Sequence, residues 1–328
     1  MEPLSRNVGP YRLVASLGRG GQAEVYLAIR RGPAGFSKLV VIKSIRQEME
    51  DDPHFKDALM SEARLAARLH HPNVVQTLEV GDDGGRCYIA MEFLDGQPLH
   101  KVVRSARAGG GVALPIAAAI VSDMLAGLHS AHELRDWDGR SLEVIHRDVS
   151  PQNVFITYEG EVKLVDFGIA KAATGGEVTQ AGIIKGKAAY MAPEQALGLP
   201  IDRRVDVYAA GIILWELLSG RRLFMADTPE SVQKLLNDSV PSVASVASGV
   251  PAAIAAVADK ALARERDQRF ATAAEMREAL ESALEESGVR KARREEVGRF
   301  VADLFERDRR SEERRVGKEC RSRWSPYH

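Results

Sequence analysis

The sequence has few cysteines and no long apolar segment. Cys87 and Cys320 are its two cysteines, and they lie far apart without metal-ligand spacing, which excludes a disulfide framework and a zinc site. No run of eighteen or more apolar residues occurs, and residues 1–10 lack the basic and then apolar pattern of a secretion signal. These absences predict a cytoplasmic globular protein with no membrane segment in this chain.

The chain also has no surplus of basic charge. It carries 45 Lys and Arg against 46 Asp and Glu, for a formal net charge of −1. Residues 310–328 resemble a translated sequencing adapter, so we expect the natural C-terminus to differ from this one. The full-length protein then has room for a membrane anchor or a sensor domain after residue 309. Without that basic segment the chain is slightly acidic, which argues against a nucleic-acid partner.

The apolar pattern changes character near residue 92. Residues 11–91 contain short β-branched runs and one helical stretch, which ends at His71. Residues 92–285 contain repeated helical spacing, interrupted by short strand-like runs. The strand-like runs are 144–145, 154–157 and 162–165. The sequence thus predicts a small β-rich lobe and a larger helical lobe.

Two terminal segments flank these lobes. Residues 1–10 are predicted to form an N-terminal extension. Within residues 286–309, apolar side chains return at helical spacing, which predicts a last helix that packs on the larger lobe. A helix that binds a partner or precedes a membrane is the alternative.

Several short motifs carry the chemistry. The first is L-G-R-G-G-Q-A-E-V at 17–25, where Gly18 and Gly20 allow the backbone to approach phosphate groups. A dinucleotide-binding fingerprint also has such glycines, but it needs a helix next, whereas the β-branched run after it favours a strand. The second motif is V-V-I-K, which ends at Lys43 inside an apolar strand. The others are H-R-D-V-S-P-Q-N at 146–153, D-F-G at 166–168 and A-P-E at 192–194.

Glu62 is a predicted partner for Lys43. It lies on the apolar face of the helical stretch, beside Leu59 and Leu65, where an unpaired carboxylate would be costly to desolvate. An ion pair with Lys43 removes that cost and directs the ammonium group towards nucleotide phosphates.

In this order and at these separations, the motifs resemble those of the protein kinase family over roughly residues 11–284. The residues within these motifs are similar to those of the bacterial members of the family. The resemblance implies an α+β, bilobal kinase fold, with an N-lobe at 11–91 that has one main helix and a helical C-lobe at 92–285. It also implies ATP and Mg²⁺ or Mn²⁺ as cofactors, protein substrates, and phosphoryl transfer to Ser or Thr hydroxyls.

The resemblance assigns roles to single residues. Asp148 is the implied catalytic base, Asn153 and Asp166 are implied metal ligands, and Lys43, held by Glu62, binds the α- and β-phosphates. The implied nucleotide site, with Met91 as gatekeeper, comprises Leu17, Gly18, Gly20, Val25, Val41, Lys43, Met91, Glu92, Leu94 and Phe155.

Two implied contacts are structural. Glu194 is predicted to pair with Arg269 and so to anchor the segment around A-P-E. Asp206, at the start of a helix, is predicted to hold the backbone of the catalytic loop.

The sequence departs from the family at four positions. Ala23 replaces the third glycine of the phosphate-binding loop, and Val41 replaces an alanine in the adenine slot. Ser150 stands where Ser/Thr kinases usually carry a lysine, and Lys187 stands where they usually carry a threonine. Our hypothesis is that the two residue types are exchanged: Lys187 supplies the positive charge at the γ-phosphate, and Ser150 supplies the hydroxyl group. The alternative is that Lys187 is an exposed loop lysine.

Ser150 also supports a second class of function, an ATP-binding pseudokinase scaffold. An unrelated nucleotide-binding enzyme is excluded because it would have no reason to combine Lys43, Glu62 and Asp148. Thr179, or else Thr174, is a predicted autophosphorylation site whose phosphate would pair with the arginine of H-R-D. Ordinary loop threonines are the alternative.

Overall fold

The computed structural model describes residues 7–19, 23–45, 60, 63, 65–167, 188–224 and 239–306. The smaller lobe is built on a six-stranded antiparallel sheet with the strand order β1-β2-β3-β4-β6-β5. Its strands are β1 (Asn7–Val8), β2 (Tyr11–Arg19), β3 (Ala23–Arg31), β4 (Ser37–Ile45), β5 (Thr77–Asp83) and β6 (Arg86–Glu92). The sheet begins inside the segment that the sequence assigns to an N-terminal extension, because the buried Val8 pairs with Tyr11.

Alternation along β4 separates the two faces of this sheet. Val40 and Ile42 are fully buried in a cluster with aromatic side chains of β2, β3 and β6. Val41 and Lys43 point to the opposite face, because successive side chains of a strand alternate. On that face Ile45 packs with Ala63, which belongs to a helical segment. Lys43 therefore lies on the helix-covered face of the sheet.

The larger lobe is mostly helical. Its helices are α1 (Leu99–Ala106), α2 (Leu114–His132), α3 (Pro193–Ala196), α4 (Arg204–Ser219), α5 (Val243–Val246), α6 (Ala252–Ala261), α7 (Ala273–Glu286) and α8 (Arg294–Leu304). A three-stranded antiparallel sheet consists of β7 (Gly96–Pro98), β8 (Val154–Thr157) and β9 (Val162–Leu164). The bilobal α+β fold is confirmed. The predicted strand at 144–145 is wrong: this apolar pair lies in a loop, with Val144 buried.

Helix α2 lies at the centre of the larger lobe. Within the described ranges it is the one helix long and apolar enough to cross a membrane, yet 67% of its most apolar window is buried inside the protein. It packs against α4 and α7. A mostly apolar helix that is largely buried is typical of a protein core, and α2 is such a helix.

Helix α8 packs on the larger lobe near the turn between β8 and β9. Val297 and Val301 are buried in the main hydrophobic cluster. Gly160 in that turn has φ +86°, and a Cβ atom there would lie 1.9 Å from the carbonyl oxygen of Arg294. The close backbone contact between the turn and α8 thus requires glycine at position 160.

Candidate active site

Asp148 lies in a loop between α2 and β8, and Asn153 holds its carboxylate. The side-chain amide of Asn153 donates to the carboxylate oxygen Oδ2 and to the carbonyl oxygen of Asp148, both at 2.9 Å. The backbone N–H of Asp148 donates to Nδ1 of His146 at 3.3 Å. A carboxylate restrained in this way is oriented before a substrate arrives, as a general base must be.

Asp206, in the first turn of α4, holds the backbone of this loop. Its carboxylate accepts the backbone N–H groups of His146 and Arg147 at 2.8 and 2.9 Å, and it lies 2.8 Å from Nε2 of His132. Burial opposes ionisation of Asp206, but these hydrogen bonds outweigh burial and lower its pKa. The predicted contact between Asp206 and the loop backbone is confirmed.

His146 links the loop to the D-F-G segment. Its ring is fully buried and lies 4.5 Å from the ring of Phe167, centroid to centroid. Burial lowers the pKa of His146 despite the nearby carboxylates, so the ring is neutral near pH 7. Because Nδ1 accepts the N–H of Asp148, the ring proton is on Nε2.

Lys43 reaches from β4 to Asp166 at the start of D-F-G. Its Nζ lies 2.9 Å from Oδ1 of Asp166, and the lysine side chain is only 14% exposed. Asp166 has φ +56°, a backbone conformation that residues other than glycine seldom adopt. A strained residue next to a mostly buried ammonium group is typical of a functional site. Glu62, the predicted partner of Lys43, lies outside the described residues.

Asn153 and Asp166 form a donor set that fits Mg²⁺. Both amide hydrogens of Asn153 are used by Asp148, which directs the amide oxygen Oδ1 elsewhere. That oxygen and the Asp166 carboxylate are hard ligands. Among the described residues, no group of three His, Cys, Asp or Glu side chains could hold a metal ion. Such a sparse set matches Mg²⁺, which is usually held by one or two carboxylates together with substrate phosphates and water.

The predicted adenine residues of the smaller lobe lie on neighbouring strands in matching register. Val25 of β3 is opposite both Gly18 of β2 and Lys43 of β4. Val41 of β4 is opposite Met91 of β6. Val25, Val41 and Met91 are partly exposed, and Leu17, at an irregularity of β2, is 53% exposed. One sheet face therefore presents apolar side chains beside Lys43, whereas Gly20 lies outside the described residues.

The remaining residues predicted to contact adenine lie where the two lobes join. Glu92 ends β6, Leu94 follows it, and both are partly buried. Phe155 is partly exposed on β8, opposite Pro98 of β7.

Comparison with known proteins decides the family. The family model for the protein kinase domain matches residues 11–311. The chain belongs to the protein kinase family.

Relatives and solved structures agree with this assignment. The tyrosine-protein kinase MasK of Myxococcus xanthus is 39% identical over 320 residues, which cover 96% of this chain and 49% of MasK. The serine/threonine-protein kinase PknB of Mycolicibacterium smegmatis is 38% identical, covering 81% of this chain and 42% of PknB. The PknI kinase domain of Mycobacterium tuberculosis superposes with a TM-score of 0.63 at 26% identity, covering 85% of this chain and 98% of the domain. The chain spans about half the length of the curated relatives it matches.

The kinase motif A-P-E is anchored as predicted. Arg269 donates to both carboxylate oxygens of Glu194, at 2.6 and 2.9 Å, and its side chain is fully buried. The remaining guanidinium hydrogens reach backbone carbonyls, including those of Ala263 and Arg264. The predicted ion pair is confirmed, and it fixes the start of α3 on the larger lobe.

Two contacts of the kinase site were not predicted from the sequence. Lys163 of β9 donates to the Glu92 carboxylate at 2.8 Å, and the same oxygen accepts the backbone N–H of Gln76 at 2.8 Å. Gln195 of α3 donates to the carbonyl oxygen of Arg147 at 2.9 Å. Neither contact has a local signal in the sequence, because the partners lie 71 and 48 positions apart.

Ser150 is buried two residues after Asp148. It is 1% exposed, and its hydroxyl has no hydrogen-bond partner in the part of the kinase that the structure describes. Lys187, Thr174 and Thr179, which the sequence relates to this region, lie outside the described residues.

Proposed function

We propose that this chain is an active protein kinase that transfers the γ-phosphoryl group of Mg-ATP to Ser or Thr hydroxyls of proteins. One observation carries the proposal. The Asp148 carboxylate is held at 2.9 Å by Asn153, while Asp166 meets Lys43 at 2.9 Å. A base and a charged phosphate site are thus built from adjoining segments, and phosphoryl transfer needs both.

Each of these residues has a defined task. Asp148 orients the acceptor hydroxyl and takes its proton as the oxygen attacks the γ-phosphorus, and the bond to the bridging oxygen breaks to release ADP. Lys43 binds the α- and β-phosphates. Asn153 and Asp166 would hold Mg²⁺, which neutralises charge on the phosphate oxygens when it is bound. The apolar side chains Val25 and Val41 cover the adenine and exclude water.

The acceptor class is part of the proposal. PknB is named a serine/threonine kinase, as are further relatives at 35–38% identity, whereas MasK is named a tyrosine kinase. We assign Ser and Thr as the acceptor residues because the name serine/threonine-protein kinase recurs among the relatives. Acid hydrolysis of a labelled substrate and analysis of its phosphoamino acids tests this: phosphotyrosine alone contradicts the assignment.

The experiment for the activity itself is a radiolabelled ATP assay on a generic basic protein. We expect incorporation by the parent, and loss of it in Asp148→Asn with nucleotide binding retained. ATP binding without transfer by the parent would instead support the pseudokinase scaffold, the candidate that Ser150 favours.

Lys187 is proposed to replace the missing catalytic-loop lysine. A cation positioned to face the γ-phosphate in an active site contributes about 3–4 kcal/mol to transition-state stabilisation. We expect Lys187→Ala to nearly abolish transfer and the double exchange Ser150→Lys with Lys187→Thr to recover much of it. Parent-like behaviour of both variants contradicts this proposal.

Autophosphorylation at Thr179, or else at Thr174, is proposed as a control of this activity, because a phosphate there would pair with Arg147. Mass spectrometry of the parent against Asp148→Asn tests it. Absence of phosphothreonine from both proteins counts against self-activation. We place the activity in the cytoplasm, where ATP and protein substrates are present.

A further inference from the structure

The backbone at Arg147 and Asp148 is restrained at several atoms. Arg147 has φ +62°, in the left-handed region that residues other than glycine seldom occupy. Its N–H donates to Asp206 at 2.9 Å, and its carbonyl oxygen accepts from Gln195 at 2.9 Å. The N–H at the other end of this peptide, that of Asp148, donates to His146. A strained residue persists only where its surroundings hold it in place.

Gln195 makes this contact from a rigid support. It follows Glu194 in α3, whose carboxylate is bound by the fully buried guanidinium group of Arg269. The backbone N–H of Gln195 donates to the carbonyl of Ala192 at 3.0 Å. The side chain therefore starts from a fixed position and reaches the catalytic loop with one amide group.

We propose that Gln195 is a positioning residue for the base Asp148, an inference that rests on the proposed kinase activity. The Gln195 amide fixes the plane of the peptide that leads into Asp148, and that plane sets the direction of the Asp148 carboxylate. Asp206 and Asn153 hold other atoms of the loop, but Gln195 binds the carbonyl oxygen of Arg147. The segment around A-P-E is thereby connected to the loop of Asp148 by this hydrogen bond.

The chemistry requires a donor at position 195, because a carbonyl oxygen only accepts hydrogen bonds. Methionine has the same length and no donor. An ionised glutamate would place a carboxylate against the carbonyl oxygen, whereas a protonated glutamate can donate to it. This difference allows a pH experiment that distinguishes positioning from general destabilisation.

The test compares Gln195→Met and Gln195→Glu with the parent and with Gln97→Met. Gln97 is a matched control, because its amide also donates one 2.9 Å hydrogen bond in the larger lobe, to the hydroxyl of Tyr158. For Gln195→Met we expect kcat to fall about threefold to tenfold, the equivalent of one lost hydrogen bond, with KM for ATP changed less than about twofold. We expect the kcat ratio of Gln195→Glu to parent to rise as pH falls from 8 to 5.5.

A second measurement does not depend on activity. Amide hydrogen exchange in the peptide covering residues 146–149 should increase about threefold to tenfold in Gln195→Met, and remain unchanged in Gln97→Met. Unchanged exchange and unchanged kcat in Gln195→Met overturn the inference, as does a Gln195→Glu to parent ratio that does not depend on pH. If the parent itself lacks activity, the proposed function fails, and exchange at 146–149 alone decides whether Gln195 positions the loop.

Discussion

Two arginine–glutamate pairs in the larger lobe have nearly the same geometry and very different burial. Arg269 and Glu194 are joined by two hydrogen bonds of 2.6 and 2.9 Å, with side chains 0% and 11% exposed. Arg290 and Glu296 are joined by two of 2.7 and 2.8 Å, with side chains 63% and 32% exposed. The two pairs allow the effect of burial to be measured with the contact geometry held nearly constant.

Replacement of Glu194 by alanine leaves the charge of Arg269 buried without its partner. Loss of one member of a buried pair costs about 3–5 kcal/mol. For a domain of this size, each kcal/mol shifts Tm by roughly 2–4 °C, so the expected decrease in Tm is roughly 6–20 °C. In Glu296→Ala, water solvates the exposed Arg290, and the variant also loses the hydrogen bond from the backbone N–H of Arg293 at the start of α8. One lost hydrogen bond costs about 1 kcal/mol, so we expect Tm to decrease by no more than roughly 2–4 °C.

Thermal unfolding followed by circular dichroism, together with urea titration, measures both effects. A shift in the urea midpoint at constant m-value shows that the change is one of stability. The double replacement Glu194→Leu with Arg269→Met should recover much of the loss, because it removes both buried charges together. Equal Tm shifts in Glu194→Ala and Glu296→Ala would refute the reasoning, since burial would then have no effect.

Three further predictions concern other parts of the molecule. Gly160→Ala should lower Tm more than Gly84→Ala. Both glycines have positive φ, which costs about 1–2 kcal/mol for alanine, but at Gly160 the new Cβ atom also meets the backbone of α8. Equal Tm shifts in the two variants contradict the close contact. Asp206 has a lowered pKa, so its stabilisation is present above pH about 4 and lost as pH falls through the folded-state pKa. The difference in Tm between the parent and Asp206→Asn should therefore be largest near neutral pH and narrow in acid, and a constant difference contradicts this. Lys163→Met should raise KM for ATP about threefold to tenfold with a smaller change in kcat, because Glu92 loses its charged partner beside the proposed adenine site and keeps only the N–H of Gln76. An unchanged KM contradicts a role for this contact.

The sequence alone was enough for the two lobes and for the identity of the chemical groups. Helical spacing marks α2, α4, α6 and α7, because a periodic apolar face is a local property of the chain. The resemblance to the kinase family implied that Asp206 holds the catalytic loop and that Glu194 pairs with Arg269, and both contacts are present. Strands β1 and β7 were missed because Asn7–Val8 and Gly96–Pro98 do not form a mostly apolar run, whereas the equally short β9 lies within one.

The tertiary structure decided which side chains hold these groups in place. Gln195 meets Arg147 across 48 positions of sequence, and Lys163 meets Glu92 across 71. No local pattern around Gln195 or Lys163 predicts these partners, because the distance between donor and acceptor depends on how the intervening helices and strands pack. The neutral state of His146 likewise follows from its burial. Local pattern thus determined the elements and motifs of this kinase, and packing determined the hydrogen bonds that hold Asp148 and its loop.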